Sequence, residues 1–159
     1  MDIPLIEQIK IQARVLVPLV KALQAELGEQ RANALVREAL GDQYRKFGER
    51  CWRRAEGAHS LGDKLAVTFD RFAAGGAVDY EVVPHGADAC DVNVTGCRYA
   101  SFYKDLGMPE LGFLLVCSAD FPMAEGFGAD VQLTRTQTIM QGASHCDFRY
   151  SLKKQDPET

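Results

Sequence analysis

The chain has 159 residues, 47% of them apolar and 25% charged, with a formal net charge of −4. That is the balance of a single globular domain with a core of useful size, and the acidic balance argues against a nucleic-acid partner. No apolar run approaches the ~20 residues that span a bilayer, and MDIPLIEQIK lacks the basic region, unbroken apolar run and small-residue cleavage site of a signal peptide.

The expected location is therefore cytoplasmic, without a membrane partner. The five cysteines (Cys51, Cys90, Cys97, Cys117 and Cys146) are expected to be reduced.

From Ile3 to Leu27 apolar residues recur at helical spacing, with Pro18 inside as an expected kink or break and Gly28 as the stop. A second helix is expected from Glu29 to about Leu40. A third follows from Asp42, its N-cap, to Glu56, with Tyr44, Phe47, Cys51 and Trp52 on one face. Its basic run, Arg45 to Arg54, is interrupted by Glu49 and flanked by Glu56, which suits a solvated helix face.

Together these make a helical region over about 3–57. Leu65 to Phe72 fits either strand or helix. Val78–Pro84 alternates as a strand with Tyr80 and Val82 inward, and Cys90–Thr95 alternates with Cys90, Val92 and Val94 on one face.

The period then lengthens over GCRYASFYKDLG, a helix with a stripe of Tyr99, Phe102, Tyr103 and Leu106. Pro109 suits the first turn of the next helix. Leu111–Asp120 reads as a short buried helix or strand, with helix favoured, EGFGAD as a loop, VQLTRTQTIM as a strand, QGAS as a turn and CDFRYSL as a closing strand. A polar tail occupies 153–159.

The fold class is α+β: a helical N-terminal half packed on a mainly antiparallel sheet with inserted helices. It forms one domain over 1–159, whose sheet-containing region is about 65–152.

Chemistry concentrates near the C-terminus. RTQTIMQGASHCDFRY combines Arg135, three alternating threonines, a glycine turn and the run His145-Cys146-Asp147. A turn needs glycine and polar residues, but not a histidine, a thiol and a carboxylate in succession. Strand alternation puts His145 and Asp147 on one side and Cys146 on the other, so Cys146 as a nucleophile would draw its base from elsewhere.

Cys97, at the head of its helix, is a second nucleophile candidate, because the positive end of the helix dipole favours a thiolate. Asp120 stands one turn beyond Cys117. Arg135 in mid-strand is either a clamp for a substrate carboxylate or a member of a cross-strand ion pair, for instance with Asp147. Cys97, Cys117 and Cys146 also permit a metal site, although no C-x-x-C pair is present. Otherwise no cofactor is indicated.

The segments GCRYASFYKDLGMPELGFLLVCSADFPMAEGF and LTRTQTIMQGASHCDFRY together resemble the L-2-amino-thiazoline-4-carboxylic acid hydrolase family. They carry C-x-Y-A-x-x-Y, then E-L-G with C-x-x-D, then R-T-x-T-I-M-x-G-A-x-x-C-D-F-R, all between Gly96 and Tyr150. The resemblance implies hydrolytic opening of a small cyclic isothiourea acid to a carbamoyl-cysteine.

On that reading Cys97 or Cys146, or an activated water, attacks the ring. His145 protonates the leaving atom, and Asp120 or Asp147 meets the amidine-like head. Arg135, Thr136, Thr138 and Tyr99 would bind substrate. The alternative reading is a non-catalytic ligand-binding or redox-sensing module built on the three motif cysteines. Either is compatible with a homo-oligomer.

Overall fold

The computed structural model describes residues 2–154. Helices α1 (Leu5–Leu27), α2 (Glu29–Arg54) and α3 (Leu61–Ala73) come first. Strands β1 (Val78–Pro84) and β2 (Ala89–Cys97) follow. Three short helices come next: α4 (Arg98–Asp105), α5 (Pro109–Leu115) and α6 (Asp120–Phe127). Strands β3 (Val131–Thr134) and β4 (Cys146–Leu152) complete the order.

The sheet is antiparallel throughout, in the order β1-β2-β4-β3. This is the expected α+β fold, with the helical half first. No helix among the described residues is long and apolar enough to cross a membrane. Of the expected tail, 155–159 lie outside the described residues, and Lys153 donates its backbone N–H to Asp130.

The inner face of the sheet follows the alternation of the sequence. Cys90, Val92 and Val94 of β2 and Cys146, Phe148 and Tyr150 of β4 are all buried, against Leu61, Leu65 and Phe69 of α3 and Met123, Ala124 and Phe127 of α6. A second core gathers Val20, Val36, Tyr103, Leu114, Leu115 and Met140 where α1, α2, α4 and α5 meet. Cys97 packs against both.

Several boundaries depart from the periodicity. Helix α1 runs unbroken through Pro18, which sits on its solvent side. The two helices expected between Glu29 and Glu56 are one. Asp42, the expected N-cap, instead pairs within α2 with Arg45 and Lys46, one turn on. The ambiguous Leu65–Phe72 belongs to α3, which starts earlier, where the Ser60 hydroxyl accepts from the Asp63 backbone N–H.

Helix α6 takes the first residues of the expected EGFGAD loop, because it crosses α2 at very short range. A Cβ on Gly48 would lie 2.1 Å from the Met123 carbonyl oxygen, and one on Gly126 would lie 2.1 Å from that of Arg45. Trp52 stacks on Phe127 at 4.6 Å between centroids beside this crossing.

The expected ten-residue strand from Val131 has ladder pairing only to Thr134. Beyond it the backbone N–H groups of Thr136 and Gln137 donate to the Asp147 carboxylate instead of to a neighbouring strand. A 3₁₀ turn at Ile139–Gln141 follows, capped by the Thr138 hydroxyl.

Candidate active site

One cavity of about 330 Å³ lies between the inner face of the sheet and the helices. Its sheet side carries Val94, Cys97, Thr138, Cys146, Phe148 and Tyr150. The 115–123 segment adds Cys117, Asp120 and Met123, and α1, α2 and α3 close the remainder with Gln8, Phe47, Phe69 and neighbours. The volume is at the small end of the ~300–1,000 Å³ range typical of ligand pockets.

Cys97 reaches the cavity because β2 ends there. The β1–β2 register shifts between Asp79 and Tyr80, and Gly96 leaves room for the Asp79 side chain, since a Cβ on it would sit 2.4 Å from Asp79 Oδ2. The chain then turns into α4 with Cys97 itself as the N-cap. Its Sγ accepts from the Ala100 backbone N–H at 3.4 Å.

The thiolate expectation is overturned. Burial raises the Cys97 thiol above its ordinary 9.0, and the backbone N–H groups of Ala100 and Tyr99 offset only part of that. The resting group is a neutral thiol.

Cys146 points inward from the first residue of β4 and accepts from the Ile139 backbone N–H at 3.3 Å. Burial pushes it up to about 11. Cys117, between α5 and α6, is also raised strongly by burial, and the Asp120 charge adds to the effect. Although the three thiols border one cavity, no group of three or more His, Cys, Asp or Glu among the described residues is arranged to hold a metal ion. Cys97, Cys117 and Cys146 thus do not form a ready ligand set.

Asp120 opens α6 with its carboxyl on the cavity, paired with Arg135. Burial lifts its pKa from 3.8 to about 7 even though the guanidinium works the other way. Arg135 stands behind that wall with its side chain 3% exposed. It also donates to the Cys117 carbonyl at 2.8 Å and lies over the rings of Phe113, Phe121 and Phe148. Its ion-pair partner is Asp120, not Asp147, and it is absent from the lining of the cavity.

The other candidates divide. Thr138 is buried and lines the cavity, whereas Thr136 is exposed and gives its hydroxyl to Asp147, so the threonine row breaks up where the strand stops. Tyr99 lines the cavity while its hydroxyl donates to the Phe72 carbonyl at 3.0 Å. His145 and Asp147 lie outside the lining. His145 contacts Ser144 and Gln137 in the turn, and Asp147 organises the 136–137 backbone.

For Asp147, burial is opposed and outweighed by hydrogen bonds from the Thr136 hydroxyl and the Gln137 and Thr136 backbone, which hold its carboxyl below 3.8.

The sequence reading missed the contribution of α1 and α2 to the cavity, through Gln8, Gln12, Gln43, Phe47 and Arg50. The signal was present as one helical face, Gln43-Phe47-Arg50, but nothing local distinguishes such a face from solvated surface.

No curated protein matches the chain. A family model described as L-2-amino-thiazoline-4-carboxylic acid hydrolase matches residues 8–150, nearly the whole length and including the helical half. With the motif segments folded around one cavity, the chain belongs to the L-2-amino-thiazoline-4-carboxylic acid hydrolase family.

Proposed function

We propose that this protein opens the ring of L-2-amino-thiazoline-4-carboxylate or a close cyclic isothiourea acid by hydrolysis, with Cys97 as nucleophile and Asp120 as proton carrier. The observation that carries this reading is the placement of Cys97 and Asp120 on one cavity, with the carboxyl poised near neutrality. A general acid–base group works best with a pKa near the operating pH.

Ionised Asp120 takes the Cys97 proton, and the sulfur adds to the ring carbon between nitrogen and sulfur. The C–S bond of the ring breaks, because a thiol is a better leaving group than an amine, and Asp120 returns the proton to the departing sulfur. Water then adds to the Cys97-bound carbon, Asp120 takes its proton, and the Cys97 sulfur leaves and is reprotonated. One water is consumed, and the only product is a carbamoyl-cysteine with a free thiol.

The backbone N–H groups at the α4 terminus support the sulfur while it is anionic. Arg135 holds Asp120 in place from behind. Cys146, on the same cavity, is the competing nucleophile.

Incubation of the protein with L-2-amino-thiazoline-4-carboxylate, followed by thiol release and a mass gain of one water, tests the reaction. Single Cys97→Ser and Cys146→Ser variants assign the nucleophile. Binding of the ring without thiol release would refute hydrolysis and favour a ligand-binding module.

A further inference from the structure

Among the described residues, only two ionisable side chains bearing a charge at neutral pH line the cavity: Asp120 inside and Arg50 on α2. Arg50 is exposed, as are its lining neighbours Gln12 and Gln43, so this part of the lining is the mouth. Arg50 lies over the Phe47 ring at 5.7 Å from its centroid, and Arg71 of α3 lies over the same ring at 5.2 Å. Neither arginine has a carboxylate partner among the described residues, and of the two only Arg50 lines the cavity.

The arginine that the motif offered for a substrate carboxylate, Arg135, is already committed to Asp120.

We infer that Arg50 is the receptor for the carboxylate of the molecule that fills this cavity, and that the cavity selects ligands with a cationic amidine-like head and an anionic tail. The head faces Asp120, the tail faces the mouth, and the aromatic belt of Phe47, Phe69 and Phe72 covers the ring between them. A guanidinium held on an aromatic face loses little freedom on binding a carboxylate, and its planar fork matches the two oxygens. The inference rests on the hydrolase reading for the identity of the head group. It does not depend on turnover.

The test compares L-2-amino-thiazoline-4-carboxylate with 2-aminothiazoline, the same ring lacking the carboxylate. Arg50→Gln should raise KM for the acid about 10- to 100-fold, with kcat changed less than about threefold, and leave KM for the ring without a carboxylate unaltered. Arg50→Lys should recover part of the loss. Arg53→Gln, on the same helix but outside the lining, should change nothing.

An unchanged ratio of the two KM values in Arg50→Gln would overturn the inference while leaving the hydrolase reading intact. If neither ring is turned over, calorimetric binding decides. Tighter binding of the acid that disappears in Arg50→Gln upholds the carboxylate receptor and removes the hydrolase reading; equal binding of both rings by the unmodified protein overturns the receptor.

Discussion

Asp120→Asn separates the two forces acting on the half-buried Asp120 carboxyl. Burial raises its pKa from 3.8 to about 7, while Arg135 opposes the rise. The folded protein therefore binds this proton more tightly than the unfolded chain does. The stability it contributes is complete below about pH 4 and is lost as the pH rises through about 7.

Each tenfold change in proton affinity is worth about 1.36 kcal/mol, so the loss between pH 4 and 8 amounts to about 4 kcal/mol. The asparagine variant has no such proton. Near pH 4.5 position 120 is neutral in both proteins, and only wild type changes its charge there as the pH rises.

Urea unfolding of both proteins at pH 4.5, 6, 7 and 8 reads the difference. Wild type should lose several kcal/mol relative to the asparagine variant across that range. A wild-type advantage that grows with pH would mean that Arg135 wins over burial and that Asp120 is an ordinary ionised partner, and the proton-carrier role would fall with it.

Other consequences are direct. The pH profile of kcat/KM should rise through about pH 7 as Asp120 ionises, and Asp120→Asn should abolish both the activity and that limb. Cys97→Ser should cut turnover at least about a thousandfold with unchanged circular dichroism, as removal of a nucleophile does. Cys117→Ser, measured alongside it, should retain activity, and an active Cys97→Ser would transfer the nucleophile to Cys146.

Gly126→Ala should destabilise by about 3 kcal/mol, because its methyl would meet the Arg45 carbonyl at 2.1 Å; a thermal melt within a degree or two of wild type would show that α2 and α6 can separate freely. Asp147→Ala should remove the part of the acid stability that wild type loses as the pH falls below about 4 and should loosen 135–138, visible as faster amide exchange at Thr136 and Gln137.

The helices and strands were legible wherever one face is buried along the full length of an element. Cys90, Val92 and Val94 alternate in the chain and are buried together in the sheet. The pattern failed where tertiary contacts override local preference. Gly41-Asp42 looks like a boundary, yet packing on α1 and α6 carries α2 straight through it. LTRTQTIM looks like one strand, yet Asp147 captures the backbone N–H groups that would have continued the ladder.

Among site residues, the thiols could be picked out by type and Cys97 by its place before a helix. Their protonation could not be read this way, because desolvation depends on what covers the sulfur, and that cover comes from several parts of the chain.

Two properties of this protein are written locally in the chain. One is the α+β order, set by a hydrophobic period that changes from 3.6 to 2 near Val78. The other is the family, set by motif residues between Gly96 and Tyr150 and extending over 8–150. The pairing of charges was decided only by folding. Arg135 went to Asp120, while Arg50 has no carboxylate partner among the described residues, because charge pairing depends on distance through space, and residues far apart along the chain meet only when the sheet and helices close around them.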